Sequence, residues 1–439
     1  MSVALIELST GPPAQPVAAG PPPAWVYRRA GLLVSVLLLL ALGGAAPPSS
    51  VLWQHVSRIE IGTSDLQGVV LGGGRLFGVE ANTPHLPVSA WSVTTGRKLW
   101  SVPDLFVDDR LTALPSGLLV LTSDRGMTVL DAATGAQRWA AWEPGRILDP
   151  RTALLIGEQF RPGTGYDPNS GAPGRLYGSG FGGLHTEPAQ RTTLSVVDLP
   201  TGRVRWSATT PGSIATASTG TGVVMFTADR IILRSAATGE VLHERTLDAD
   251  HRNSVGGEVH GDVVLTHQGD YGRAGRITAY DARTLDRLWE QAEPDPQGNP
   301  VRCLGVPCLV SRTDVTVLDP ATGAALWRSD TSSDLISFGD SALLEVDALD
   351  PKALVDRRTG RTLLTLDRWT SYARLPDGTG LLLLASEGRN QVVGLLPAGA
   401  TKIQPLGRAP AVVVPCLPDT SYAACRVFTA YEVYRYREE

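Results

Sequence analysis

The chain has 439 residues and a net charge of −5, with 39 Lys and Arg against 44 Asp and Glu. No basic stripe interrupts that balance, which argues against a nucleic-acid partner. Gly 47 and Pro 32 suit a chain of many short strands and turns, and lysine is confined to Lys98, Lys352 and Lys402, an arginine bias that points to a high-GC bacterial gene.

In chain order, residues 1–27 are small, polar and Pro-rich and read as a disordered cytoplasmic tail. Arg28 and Arg29 then precede an uncharged run from Ala30 to Ala46, 17 residues at the short end of a membrane span. Positive charge on the N-terminal flank places the N-terminus in the cytoplasm. A cleaved signal peptide competes, because the core is short and small residues follow it. The long preceding segment and the Pro47-Pro48 pair favour an uncleaved signal anchor over residues 28–46. The expectation is a single-pass protein held in the cell membrane by one helix, with residues 47–439 outside the cytoplasm.

Beyond the span the chain keeps returning to one phrase, Asp131-Ala-Ala-Thr134-Gly135 followed by Trp139. It recurs at Asp198, Thr201, Gly202 and Trp206, at Asp319, Thr322, Gly323 and Trp327, and with Ser first at Ser92, Thr95, Gly96 and Trp100. Weaker copies are Ser235-Thr238-Gly239 ending in His243, Asp281-Thr284-Leu285 ending in Trp289, and Asp356-Thr359-Gly360 ending in Leu364. The successive Thr positions lie 39, 67, 37, 46, 38 and 37 residues apart, the period of a repeat architecture. An alternating apolar run before each copy predicts a strand. Asp or Ser caps the turn, Gly supplies the left-handed residue, and a second strand carries the Trp. A large ring at a fixed place in every repeat is explained by packing between neighbouring repeats.

This phrase resembles the tryptophan-docking repeat of PQQ-type β-propellers, the quinoprotein alcohol dehydrogenase-like and BamB-like superfamily, over about Val51 to Glu439. The resemblance implies an all-β propeller of about eight four-stranded blades, within a range of seven to nine, whereas a direct count of outer hairpins gives nine. Trp53 heads a strand with no turn before it, and the final strand, Thr429 to Tyr436, has no Trp strand after it. The two halves complete one blade and close the ring without an open edge. Quinoprotein dehydrogenases hold their quinone over a disulfide of adjacent cysteines. This chain has no adjacent cysteines and no haem-attachment motif, so neither a cofactor nor catalysis is expected. The function expected is a non-catalytic scaffold binding a protein partner, with a ligand sensor or quinoprotein-type enzyme using the central funnel as the alternative.

Four cysteines in an extracytoplasmic chain predict two local bridges, Cys303–Cys308 and Cys416–Cys425. Neither pair forms a zinc motif. Asp167-Pro-Asn169-Ser-Gly171 starts like a calcium loop but lacks further ligands and reads as a turn. His251, His260 and His267 have no metal-binding spacing. The long interval contains an insertion over residues 158–191. It carries His185 beside Phe160, Tyr166, Tyr177 and Phe181, aromatics that make it the candidate partner-binding loop.

Overall fold

A computed structural model describes residues 52–436 apart from 62–65, 82–84, 104, 106–109, 125, 172–175, 179–182, 248–255, 269–274, 294–301, 312–313, 330–332, 349, 377, 389 and 411–415. The tail and the expected membrane span lie outside these residues. Among the described residues no helix is long and apolar enough to cross a membrane.

Strands of mostly five to eight residues alternate with Gly-bearing turns, and neighbours in sequence pair antiparallel. They build nine blades: blade 1 (66–102), 2 (110–141), 3 (145–211), 4 (215–246), 5 (257–293), 6 (308–329), 7 (334–365), 8 (371–410) and 9 (417–435 with 54–60). Nine is the number that counting hairpins gives, one more than the resemblance implies. Among the described residues blade 6 has three strands of its own. First strands of neighbouring blades approach one another, as Leu66–Gly72 does Arg110–Ala113, so each blade runs outward from a common centre. Second and third strands are the most buried, as in Leu118–Ser123 and Gly222–Phe226, because a blade covers both of their faces. The apolar clusters accordingly lie between adjacent blades, such as Val224, Phe226, Leu233, Val264 and Tyr280 of blades 4 and 5.

Strand direction gives the propeller two distinct faces. On the turn face, first-to-second hairpins meet the Asp/Ser–Thr–Gly turns: Ala132 N–H donates to Gly117 O at 2.9 Å, Ala236 N–H to Thr221 O at 3.1 Å and Ala282 N–H to Asp262 O at 2.8 Å. The opposite, loop face carries the connections between blades and the second-to-third loops.

All seven turns form as the phrase predicts. The fifth residue donates its N–H to the first residue's carbonyl, from Gly96 to Ser92 at 2.9 Å through Gly360 to Asp356 at 2.9 Å. Asp131 Oδ1 accepts from the N–H groups of Ala133 at 3.0 Å and Thr134 at 3.1 Å. Five of the Trp side chains then reach the next blade. Indole Nε1 of Trp100, Trp139, Trp206, Trp289 and Trp327 donates to Ala132, Leu199, Ala236, Pro320 and Arg357 carbonyls at 2.6–3.2 Å. Each ring covers the turn glycine: a Cβ on Gly135, Gly202, Gly239, Gly323 or Gly360 would stand 2.5–2.7 Å from the facing indole. Glycine is required there twice over, by the ring and by φ of +68° to +74°.

Trp53 is the exception, and the reason is register. Every outer strand carries a β-bulge just after its turn, and Trp100, Trp139 and Trp206 occupy the bulge position opposite Ala90, Val129 and Val196. In blade 9 the bulge lies between His55 and Ser57, so Ser57, opposite Val433, holds the tryptophan position. Its hydroxyl donates to Val93 O at 2.5 Å, the carbonyl an indole would take. Trp53 packs backwards instead, stacked on Tyr434 at 4.6 Å and against Gly407 of blade 8. Trp369 likewise fills the seam between blades 7 and 8 against Gly394, where Leu364 replaces the docking ring.

Ring closure occurs as expected. Gln54–Glu60 pairs antiparallel with Ala430–Arg435, from Gln54 opposite Arg435 to Glu60 opposite Ala430. Both expected disulfides are present. Cys303 and Cys308 have Cα atoms 6.4 Å apart, and Cys416 and Cys425 4.1 Å.

Candidate functional site

Two surfaces of this frame can bind something. The first is the insertion, which prolongs the paired strands Thr152–Gln159 and Arg191–Asp198 of blade 3 on the loop face. Its described part is built, not loose. Tyr177–Gly178 pairs with Leu184–His185, and Gly165 bridges to His185. Phe160 stacks on the His185 ring with centroids 3.7 Å apart and planes 8° from parallel, while Thr164 Oγ1 meets His185 Nδ1 at 3.0 Å. Thr186 N–H donates to Thr164 O at 2.9 Å, and Tyr166 N–H to Leu184 O at 2.7 Å. Tyr166 anchors the loop again by donating its hydroxyl to Gly171 O at 3.0 Å. The Asp167–Gly171 stretch is a turn, with a 3-10 segment Pro168–Ser170 capped by Asp167 accepting from Asn169 N–H. Of the candidate residues, Phe160, Tyr166 and Tyr177 meet in this small subdomain, and Phe181 lies outside the described residues. His185, which the sequence places in the insertion with these aromatics, is its centre.

The second surface is a cavity of about 1030 Å³ at the turn-face end of the centre, between blades 8, 9, 1 and 2. Leu71, Leu111, Leu114 and Leu417 supply apolar wall, with Thr112, Arg374 and Asp419 as polar points. Arg374 donates to Ser337 O, and buried Asp419 accepts from the Thr420 hydroxyl at 2.8 Å. Such a wall suits an apolar body with few oriented polar contacts.

Elsewhere the charges serve structure. The turn carboxylates Asp131 and Asp198 are held below the usual range first by the Arg138 and Arg205 guanidinium groups. Asp319 and Asp281 are held low first by the backbone N–H groups of Thr322 and Arg283, and Asp356 by the Thr359 hydroxyl. His260 and His267 do converge, on Glu258, at 3.0 and 3.2 Å. Burial pushes that carboxyl up, but the two imidazoles outweigh it and hold it at about 2. His260 Nε2 approaches Glu258 Oε1 without hydrogen-bond geometry, which leaves both nitrogens of this buried ring unbonded. Glu258 was invisible to spacing arguments, since strand pairing alone brings it beside His267. Among the described residues no group of three or more His, Cys, Asp or Glu has the arrangement to hold a metal ion.

Residues 190–395 match the family model described as outer membrane protein assembly factor BamB. A search of curated proteins found no match. Among solved structures, BamB from Moraxella catarrhalis is similar at 15% identity, covering 88% of this chain and 98% of its own, with a TM-score of 0.40. A quinohemoprotein alcohol dehydrogenase from Comamonas testosteroni is similar at 10% identity, covering 88% of this chain and 77% of its own, with a TM-score of 0.41. Likeness at that level separates neither scaffold from enzyme.

Proposed function

We propose that this chain, a PQQ-like β-propeller by its repeat and its family match, is a non-catalytic scaffold that binds a protein partner through its loop face. In this reading residues 28–46 anchor it in the cell membrane, with the N-terminus cytoplasmic and the propeller extracytoplasmic. The observation that carries the binding role is the insertion. An excursion over residues 158–191 that closes no blade still orders Phe160, Tyr166, Tyr177 and His185 by stacking and hydrogen bonds. Aromatic groups held rigid on one face pay little entropy on binding. The chain enters the propeller at Trp53 on the turn face, because Gln54–Glu60 runs as an outer strand, so the insertion lies on the face away from the point of entry.

A photo-cross-linking residue at Leu184 tests this against one at Ala133, both in the native membrane. Adducts with one defined protein from Leu184 and none from Ala133 support the reading. Adducts from Ala133 alone defeat it. Deleting residues 163–189 should abolish co-purification of that protein with the chain while far-UV circular dichroism and thermal midpoint stay unchanged. The apolar cavity favours a second reading, a ligand sensor or quinoprotein-type enzyme working in the funnel. Titration with pyrroloquinoline quinone, with and without Ca²⁺, separates the two: saturable micromolar binding replaces the scaffold reading.

A further inference from the structure

In eight blades the first strand pairs antiparallel with its own second strand. Blade 6 departs from this rule. Its first strand, Cys303–Leu304, lies parallel on the first strand of blade 7, with Cys303 opposite Leu335 and Leu304 opposite Ile336. Arg302 fixes the borrowed position, its N–H donating to Asp334 Oδ1 at 2.8 Å and its guanidinium to Oδ2 at 2.8 and 3.1 Å. Arg357 Nη2 donates to Gly305 O at 3.1 Å. The chain then crosses back through Gly305 to Cys308–Val310, the second strand of blade 6. A Cβ at Gly305 would stand 2.8 Å from Ser337 Cβ, and its φ is +80°, so the crossing is tight.

The Cys303–Cys308 bridge spans that crossing. It is the covalent tie between a strand hydrogen-bonded to blade 7 and a strand belonging to blade 6. Its counterpart, Cys416–Cys425, also joins a first to a second strand, but inside one properly paired blade: Leu417 opposes Ala424 one step further on. Cys416 and Cys425 are both 0% exposed, whereas Cys303 and Cys308 are part-exposed at the inner edge. Access decides which of two disulfides a thiolate can attack. Pairing decides what the attack releases. A two-residue parallel ladder, the Arg302–Asp334 contacts and the Arg357–Gly305 hydrogen bond, all at a part-exposed edge, hold little once the tie is cut.

We propose that Cys303–Cys308 is a thiol–disulfide exchange site for a dithiol reductant, and that its opening frees Cys303–Leu304 from blade 7. One thiolate of the dithiol attacks a bridge sulfur; the S–S bond breaks, a mixed disulfide forms, and the other cysteine leaves as thiolate and takes a proton. The second thiol of the dithiol then attacks the mixed disulfide. It releases the second cysteine as thiol and departs as a cyclic disulfide. Two electrons and two protons pass from dithiol to bridge, and no other co-reactant is needed.

The test uses the full, folded chain titrated with dithiothreitol, trapped by alkylation and mapped by peptide mass. Cys303 and Cys308 should alkylate at a dithiol concentration about tenfold or more below that needed for Cys416 and Cys425. Backbone hydrogen exchange should rise at residues 302–305 and 334–336 as the first pair opens, and elsewhere stay unchanged. A Cys303→Ser, Cys308→Ser variant should show the same local exchange without reductant. Should that variant fail to fold, the reduced wild type carries the same readout. Equal or reversed order of alkylation overturns the exchange site. Selective reduction with unchanged exchange at 302–305 overturns the claim that the bridge holds the strand.

Discussion

The pairing of each tryptophan with the next blade's glycine makes a quantitative prediction at Trp206 and Gly239. The indole is 9% exposed, donates to Ala236 O at 2.9 Å, and lies where a Cβ on Gly239 would meet Cδ2 at 2.5 Å and Cγ at 2.7 Å. Trp206→Ala removes a buried ring and should cost about 3–5 kcal/mol. Gly239→Ala faces two penalties. At φ +74° a Cβ costs about 1–2 kcal/mol, and displacing the ring adds about 1–3 kcal/mol of overpacking. Only the second penalty needs the ring. The double variant should therefore be less damaged than the sum of the singles, by about 1–3 kcal/mol. Urea unfolding at equilibrium, with midpoints and slopes for all four proteins, measures that coupling. Additivity within about 0.5 kcal/mol would refute the docking argument, because it would mean that ring and glycine act independently. The chain holds its own control: where Leu285 replaces the glycine, at φ +58°, the preceding blade has His243 in place of tryptophan. Arg245 takes over the cross-blade bond there, donating to Leu285 O at 3.2 Å.

Three further outcomes are expected. Ser57→Ala removes the hydroxyl that bonds Val93 O across the closing seam, and a loss of about 1 kcal/mol in urea unfolding is expected; no loss would show that the apolar cluster between blades 9 and 1 holds the seam without it. The five turn aspartates have folded pKa values below their unfolded value of about 3.9, so their stabilisation is complete above that pH and disappears as pH falls through the folded values. Thermal midpoints should therefore hold from about pH 7 to 5 and drop below about pH 4, less steeply in Asp319→Asn; identical slopes would remove Asp319 from the account. Arg146 donates once, to Thr216 O at 2.7 Å, and keeps Nε and Nη2 buried without a partner, while burial pushes its pKa down. Arg146→Met should stabilise the fold by about 1 kcal/mol or more in the same urea assay, and a loss would mean that the guanidinium is satisfied in solution.

Most of the fold could be read from the sequence because its determinants are local and repeated. Asp131, Thr134 and Gly135 form their turn from five consecutive residues, and Trp139 follows at fixed spacing, so seven copies reinforce one another. The two disulfides were legible for the same reason, lying close in sequence. What escaped depends on pairing between distant segments. Ser57 could not be identified as the tryptophan equivalent, since no Asp/Ser–Thr–Gly turn precedes it in sequence and only the bulge opposite Val433 reveals it. Trp53 looked like a docking residue because it heads a strand, yet it lies four residues before Ser57, the position that faces blade 1, and packs into the other seam. The transfer of Cys303–Leu304 to blade 7 leaves no local mark beyond the cysteines themselves. The insertion was legible as an excess of aromatic and glycine residues, but the Phe160–His185 stack at its centre joins residues 25 positions apart and follows from no periodicity.

Closure by the N-terminal strand also fixes an order of events during synthesis. Gln54 pairs with Arg435, so the first of the described strands waits for the last of them to be made. Blades 1 to 8 can each complete their own hairpins as they emerge, but Gln54–Glu60 has no sheet to join until residue 435 exists. The entropic cost of bringing such distant ends together grows only with the logarithm of their separation, so a finished ring forms readily. The exposure is kinetic. Until then the strand is an unpaired edge, and a chain cut short before residue 417 would keep it so, open to pairing with other chains.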